Sequence, residues 1–177
     1  MISIIPRDYF TMIEDLVILV NEQDVEIGVM PKLEAHQKAL LHRAFSVLIF
    51  NSNDEMLIHQ RAMGKYHSEG LWTNACCSHP KPGETIIEAA HRRLEEEMGF
   101  DCEVEPKFHF IYQTSLENNL FEHEFDHVLT GVYDGEFIPN PEEVMDYRWV
   151  SIADLKEEIK TKPETFTFWF KMILDKC

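Results

Sequence analysis

The sequence predicts a mixed β-sheet sandwiched between α-helices, an α/β fold of the α+β kind. Three observations carry this expectation: strand-like segments lie both before and after one internal helix, that helix has recognisable start and stop signals, and more helix closes the chain. At 177 residues and 45% hydrophobic composition, the chain suits one domain with a single sizeable core over residues 1–177, with residues 1–10 open to disorder.

Taken in order, Leu16–Val20 and Glu26–Met30 read as a hairpin around Asn21–Asp24, and Phe45–Phe50 with Met56–Arg61 as a second around Asn51–Glu55. Thr85 with Glu88 three residues later forms a capping box. Ile86, Ile87, Ala90 and Leu94 then recur at helical spacing until Gly99 stops the helix, which predicts a length of about 13 residues. Strands follow at Lys107–Thr114, Phe121–Tyr133 and Tyr147–Val150. Ser151 with Asp154 marks another helix start, and Pro163 precedes a final amphipathic segment rich in Phe and Trp. There is no internal repeat, low-complexity tract or linker.

The apolar runs fall far short of the roughly 20 residues of a membrane span, and the start of the chain lacks a secretory pattern, so a cytoplasmic location without membrane attachment is expected. Four cysteines, two adjacent and one terminal, do not resemble a disulfide framework and read as reduced thiols. A net charge of −16 argues against a nucleic-acid partner, whose phosphates need clustered Lys and Arg. One small phosphorylated ligand needs only a few local cations and a metal. The sequence is compatible with a monomer or a homodimer.

The stretch CCSHPKPGETIIEAAHRRLEEEMGF at residues 76–100 is the most informative. It resembles the Nudix signature at Glu84, Arg92, Leu94, Glu96, Glu97 and Gly99, but Ser78 stands where the motif has its first Gly and Arg93 where it has a Glu. In Nudix hydrolases that Glu helps to hold divalent ions, so its loss counts against hydrolysis. The departures resemble those of type 1 isopentenyl-diphosphate isomerases, which share the Nudix fold. LEAHQKALLHRAF at 33–45, GLWTNACCSHP at 70–80, FEHEFDH at 121–127 and FTFWF at 166–170 each resemble a stretch of that family, in the same order. The resemblance implies a Nudix-like isomerase that interconverts isopentenyl diphosphate and dimethylallyl diphosphate for isoprenoid biosynthesis.

Alternation in FEHEF places Glu122 and Glu124 on one strand face and Phe121, His123 and Phe125 on the other. Two carboxylates in a small space repel unless one is protonated or a cation is bound; the plain alternative is an exposed polar face. His36 and His42 precede an apolar strand, and His79 lies in the loop before the capped helix; singly, such histidines are more often surface or core residues. Together three histidines and two carboxylates would make an N3O2 set suited to Zn²⁺, Mn²⁺ or another first-row ion, with a sixth position for substrate or water. The resemblance implies that His36, His42, His79, Glu122 and Glu124 are the family's primary metal ligands.

It implies a second ion, Mg²⁺, at Glu97 and the backbone carbonyl of Cys77, with Lys32, Arg61, Lys65 and Arg93 contacting the substrate diphosphate. Arg93 can also pair with Glu97 one helical turn on. Buried cysteines are usually inert, but the resemblance makes Cys77, in the loop before His79, one of two proton carriers. Glu124 is the other, with Tyr112 working beside it. A carbocation needs a pocket that excludes water; the resemblance places Trp169 over the hydrocarbon, and Trp72 and Phe168 read as walls. The alternatives are a Nudix hydrolase of nucleoside diphosphate derivatives, using the same helix, and a non-enzymatic metal or redox module, which gives no reason for the four cations.

Overall fold

A computed structural model describes residues 16–65 and 67–177. The expectation about residues 1–10 lies outside them. Nine strands form a mixed sheet: β1 (Leu16–Val20), β2 (Glu26–Pro31), β3 (His42–Phe50), β4 (Glu55–Arg61), β5 (Trp72–Asn74), β6 (Cys76–Ser78), β7 (Val104–Ser115), β8 (Phe121–Val132) and β9 (Val144–Ser151). The helices are α1 (Lys32–Gln37), α2 (Ile86–Met98), α3 (Ile152–Thr161) and α4 (Phe168–Asp175).

β3 is the organising strand. It pairs in parallel with β8 from His42↔Glu124 to Phe50↔Val132, while its other edge is shared by β1, β6 and β4. Both faces of β3 are covered, so it reads as a nearly continuous apolar run. Phe45, Val47 and Ile49 pack with Ala90, Leu94 and Met98 of α2, whereas Leu48 packs with Phe170 and Ile173 of α4. The sandwich of helices about a mixed sheet is as expected.

α2 has both bonds of its capping box, Glu88 N–H to Thr85 Oγ1 at 3.2 Å and Thr85 N–H to Glu88 Oε2 at 2.8 Å. Gly99 ends it at φ 76°, and a Cβ there would lie 2.3 Å from the Ile138 carbonyl oxygen, so only glycine fits.

Three expectations need correction. The second hairpin pairs only at Phe50↔Met56, because β6 takes the edge of β3 while β4 turns to β5 and β9. Cys77 sits on the short strand β6 rather than in a loop. β5, β6 and α1, a helix of six residues, escaped the periodicity reading because each is too short to show a period.

Candidate active site

Strand alternation decides which groups meet. Cys76 points into the core beneath α2, so Cys77 points to the opposite face, toward α4. On β8 the same alternation turns Glu122, Glu124 and Asp126 inward, all three buried. Tyr112 lies directly across from Glu124 on β7. A cavity of about 110 Å³ opens between these strands and Trp169 of α4. Every predicted site residue lines it except His36 and His42, which are fully buried. Trp72 and Phe168 are not among its walls: the Trp72 ring carries the Arg148 guanidinium at 4.8 Å, and Phe168 is partly exposed at the start of α4.

The ring nitrogens are prepared for a cation. His36 Nδ1 and His42 Nδ1 each hydrogen-bond a backbone carbonyl, of Lys32 and Leu40, at 2.8 Å, which leaves Nε2 as the ligand atom. His42 Nε2 is buried and faces Glu124 Oε1 at 3.5 Å. Ligand atoms of His36, His42, His79 and Glu124 all lie within 4.8 Å of one another, as do those of His36, His67 and Glu122. Burial lowers the pKa of His36 to about 4 and of His67 and His79 to about 3, so these rings are neutral, as metal ligands must be.

Tyr112 Oη lies 2.7 Å from Glu124 Oε2 and 3.0 Å from Glu122 Oε2. A tyrosine has one proton to donate, so without a cation one carboxyl must bring its own. Burial and the charge of Glu124 raise the Glu122 pKa well above the carboxylate range. Burial works against ionisation of Glu124 too, but hydrogen bonds from His42 and His79 outweigh it and hold this carboxyl well below that range.

The Cys77 thiol donates to Asn74 Oδ1 at 2.9 Å and accepts the Trp169 indole N–H at 2.9 Å. Burial, with the charge of Asp126 adding to it, pushes the thiol up to about 12. It therefore rests as a neutral thiol with its rotamer held from two sides.

The cations gather at the mouth, each with a protein partner. Lys65 pairs with Glu143, and Arg93 NH2 pairs with Glu97 at 2.5 Å and reaches Glu143 at 3.5 Å. Arg61 Nε donates to the Ser68 carbonyl at 3.1 Å, and its guanidinium lies 5.5 Å from the Trp169 ring centre. Burial raises the Glu97 pKa against the pull of Arg93. An adjoining opening of about 370 Å³ shares Lys32, Lys65 and Arg93 and adds Lys81 and Arg92.

Asp126 carries strain that the site does not relieve. Ser46 donates to its Oδ2 at 2.8 Å, but buried Oδ1 has no partner among the described residues, and burial raises the pKa from 3.8 to about 8. A raised folded-state pKa means stability is greatest below 3.8 and is lost as pH rises toward 8, at up to about 1.4 kcal/mol per pH unit. In the metal-free protein Asp126→Asn should therefore raise Tm at pH 8, with the gain shrinking on acidification toward pH 4. Thermal melts of both proteins across that range check this, and a gain independent of pH would contradict it.

Comparison with known proteins gives the same picture. The NUDIX domain family matches residues 40–170. Isopentenyl-diphosphate Delta-isomerase 1 of Aromatoleum aromaticum is 50% identical over 163 residues, covering 92% of each chain. Isopentenyl-diphosphate Delta-isomerase of Pectobacterium atrosepticum is 51% identical over 156 residues, covering 88% of this chain and 87% of the other. This chain belongs to the isopentenyl-diphosphate Delta-isomerase family. Among solved structures a Deinococcus radiodurans protein superposes with a TM-score of 0.76 at 19% identity, over 92% of this chain and 98% of the other, a likeness of fold.

Within this isomerase family fold, the Arg93 substitution acquires a physical reason: its single positive charge is shared among Glu97, Glu96 and Glu143 at the cavity mouth. Arg92 pairs with Glu96 at 3.4 Å as the helical spacing predicts, but its stronger partner is Glu84, gripped by two bonds at 2.7 and 2.8 Å. Sequence reasoning missed His67, Ser46, Asn74, Asp126 and Glu143. Asp126 alone had a local signal, since it continues the alternation of Glu122 and Glu124.

Proposed function

We infer that this protein interconverts isopentenyl diphosphate and dimethylallyl diphosphate by placing one proton and removing another. The observation that carries this is a single cavity lined by both Cys77 and Glu124, with Lys32, Lys65 and Arg93 at its mouth, in a chain half identical to named isomerases. The hydrocarbon enters the cavity and the diphosphate stays at the cationic opening. One carrier adds a proton at C4, leaving a tertiary cation at C3; the other takes a proton from C2, and the double bond moves from C3–C4 to C2–C3. The reverse direction exchanges their roles. No oxidant, reductant or water is consumed.

Trp169 is buried and pinned by its N–H to the Cys77 sulfur, which supports a role for its indole beside the carbon that becomes cationic. A desolvated cation over such a ring gains about 2 kcal/mol or more, and excluding water from the hydrocarbon end would keep the cation from being trapped as an alcohol. Tyr112 joins Glu124 to Glu122 and can pass a proton between them. A Zn²⁺ or Mn²⁺ ion held by His36, His42, His79, Glu122 and Glu124, with Mg²⁺ at Glu97 and the Cys77 carbonyl, would supply the charge that fixes the carboxylates and neutralises the diphosphate. Four thiols free of disulfides suit a reducing, cytoplasmic setting.

Incubation with isopentenyl diphosphate and Mg²⁺, followed by separation of the isomers, tests the reading. Dimethylallyl diphosphate should accumulate to equilibrium while a nucleotide panel stays intact. Rapid nucleotide cleavage with isopentenyl diphosphate untouched would overturn it in favour of a Nudix hydrolase.

A further inference from the structure

The thiol of Cys77 is held by a buried amide that has only one way to face. Asn74 ends β5 with its side chain fully buried, and its Nδ2 donates to the Val47 carbonyl at 3.1 Å and to the Cys76 carbonyl at 2.7 Å. An amide has two N–H donors, and both are taken. Flipping it would set its oxygen against two buried carbonyls, at a cost of about 1–3 kcal/mol for each group left unsatisfied. Oδ1 is therefore fixed toward the sulfur and accepts the S–H at 2.9 Å.

The second lone pair of Oδ1 is occupied as well. Thr73 Oγ1 donates to it at 3.1 Å, and Thr167 Oγ1, at the start of α4, donates to Thr73 Oγ1 at 3.1 Å. Both threonines are fully buried. α4 thus reaches the sulfur from two sides, directly through the Trp169 N–H and indirectly through Thr167, Thr73 and Asn74. A competing acceptor for the thiol is Ser46 Oγ, more distant at 3.5 Å, whose own proton is given to Asp126. A thiol deprived of Asn74 would turn its S–H there. Asn74 and Thr73 are not among the walls of the cavity, so they act on Cys77 from behind and not on substrate.

We propose that Asn74 is a positioning residue for Cys77: an amide that can only accept toward the sulfur fixes the direction of the thiol proton, and Thr73 and Thr167 hold the amide in turn. The proposal rests on the reading of Cys77 as a proton carrier given above. Proton transfer to or from carbon tolerates little misplacement, since a shift of about 1 Å at a reacting group can cost about 10²-fold. Because Asn74 stands behind the thiol and away from the diphosphate end, its loss falls on kcat and leaves KM nearly unchanged.

The S–H stretch of Cys77 reports this without reference to activity, because a thiol proton held by an acceptor absorbs at lower frequency than a free one. The infrared difference between the intact protein and Cys77→Ala should show a band at the low-frequency, hydrogen-bonded end, and in Asn74→Ala that band should move to higher frequency. The kcat of Asn74→Ala should fall about 10- to 100-fold, with KM within about two-fold of the parent. Asn74→Asp keeps an oxygen facing the sulfur, so it should keep the low-frequency band and recover most of that loss. A Cys77 band at the free-thiol position in the intact protein, a band unmoved in Asn74→Ala, a rise in KM in place of the fall in kcat, or an Asn74→Asp variant no better than Asn74→Ala would each overturn the proposal. The band of the intact protein needs only Cys77→Ala for its assignment, so the test stands even if Asn74→Ala does not fold. An intact protein that leaves isopentenyl diphosphate unchanged would overturn the functional reading and this role with it, whereas an unmoved band in an active enzyme overturns the role alone.

Discussion

Cys77→Ala is expected to abolish isomerisation, a loss of at least 10² to 10⁴-fold in kcat, while circular dichroism and Tm stay near those of the parent. The expectation follows from how Cys77 is held. Its sulfur has Asn74 as acceptor and the Trp169 N–H as donor, and alanine leaves both without that partner and removes one of the two proposed proton carriers. Glu124→Gln should lose as much, because it removes the second carrier and the charge that His42 and His79 stabilise. Cys76→Ala is the control. Cys76 lies one residue away but faces the core under α2, with its sulfur 3.7 Å from Glu97 Oε1, so its replacement should cost stability of about 1 kcal/mol and leave most of the turnover. Steady-state kinetics on the three variants decide: more than about a tenth of the parental activity in Cys77→Ala would remove that residue from the mechanism.

Arg93→Glu should have the second large effect, and it separates isomerase from hydrolase. The substitution restores the Nudix motif, yet in this structure it removes the guanidinium that binds Glu97 and Glu96 and sets a further carboxylate among Glu96, Glu97 and Glu143. Breaking a buried pair from one side typically costs about 3–5 kcal/mol, because the charge left behind has no compensation. The variant should be markedly less stable, partly rescued by millimolar Mg²⁺, with isomerase activity down at least about 100-fold and no efficient hydrolysis of nucleotides. Melts with and without Mg²⁺, with both activity assays, measure this. A stable variant that hydrolyses nucleotides quickly would show that Arg93 alone had kept this fold from hydrolase chemistry.

The parts of this protein written in its sequence are those whose physical cause spans about ten residues. The capping box and Gly99 bound α2 because both act within one turn of it, and the Asn21–Asp24 hairpin closes for the same local reason. Alternation alone put Glu122 and Glu124 on one inward face. The clustering of His36, His42 and His79 with Glu124 follows from family resemblance alone, since their separations along the chain say nothing about distance; Glu122 lies in a second group with His36 and His67.

Tertiary structure decided the rest through strand register. Pairing of His42 with Glu124 and of Ser46 with Cys77 brings together residues dozens of positions apart, and a slip of one residue would turn every one of these side chains to the other face. That register, not any local pattern, placed Asp126 and Ser46 behind the thiol, while a loop pinned by Arg61 set His67 beside His36 and Glu122. Local sequence determines which face a side chain takes; only long-range pairing determines what it meets there.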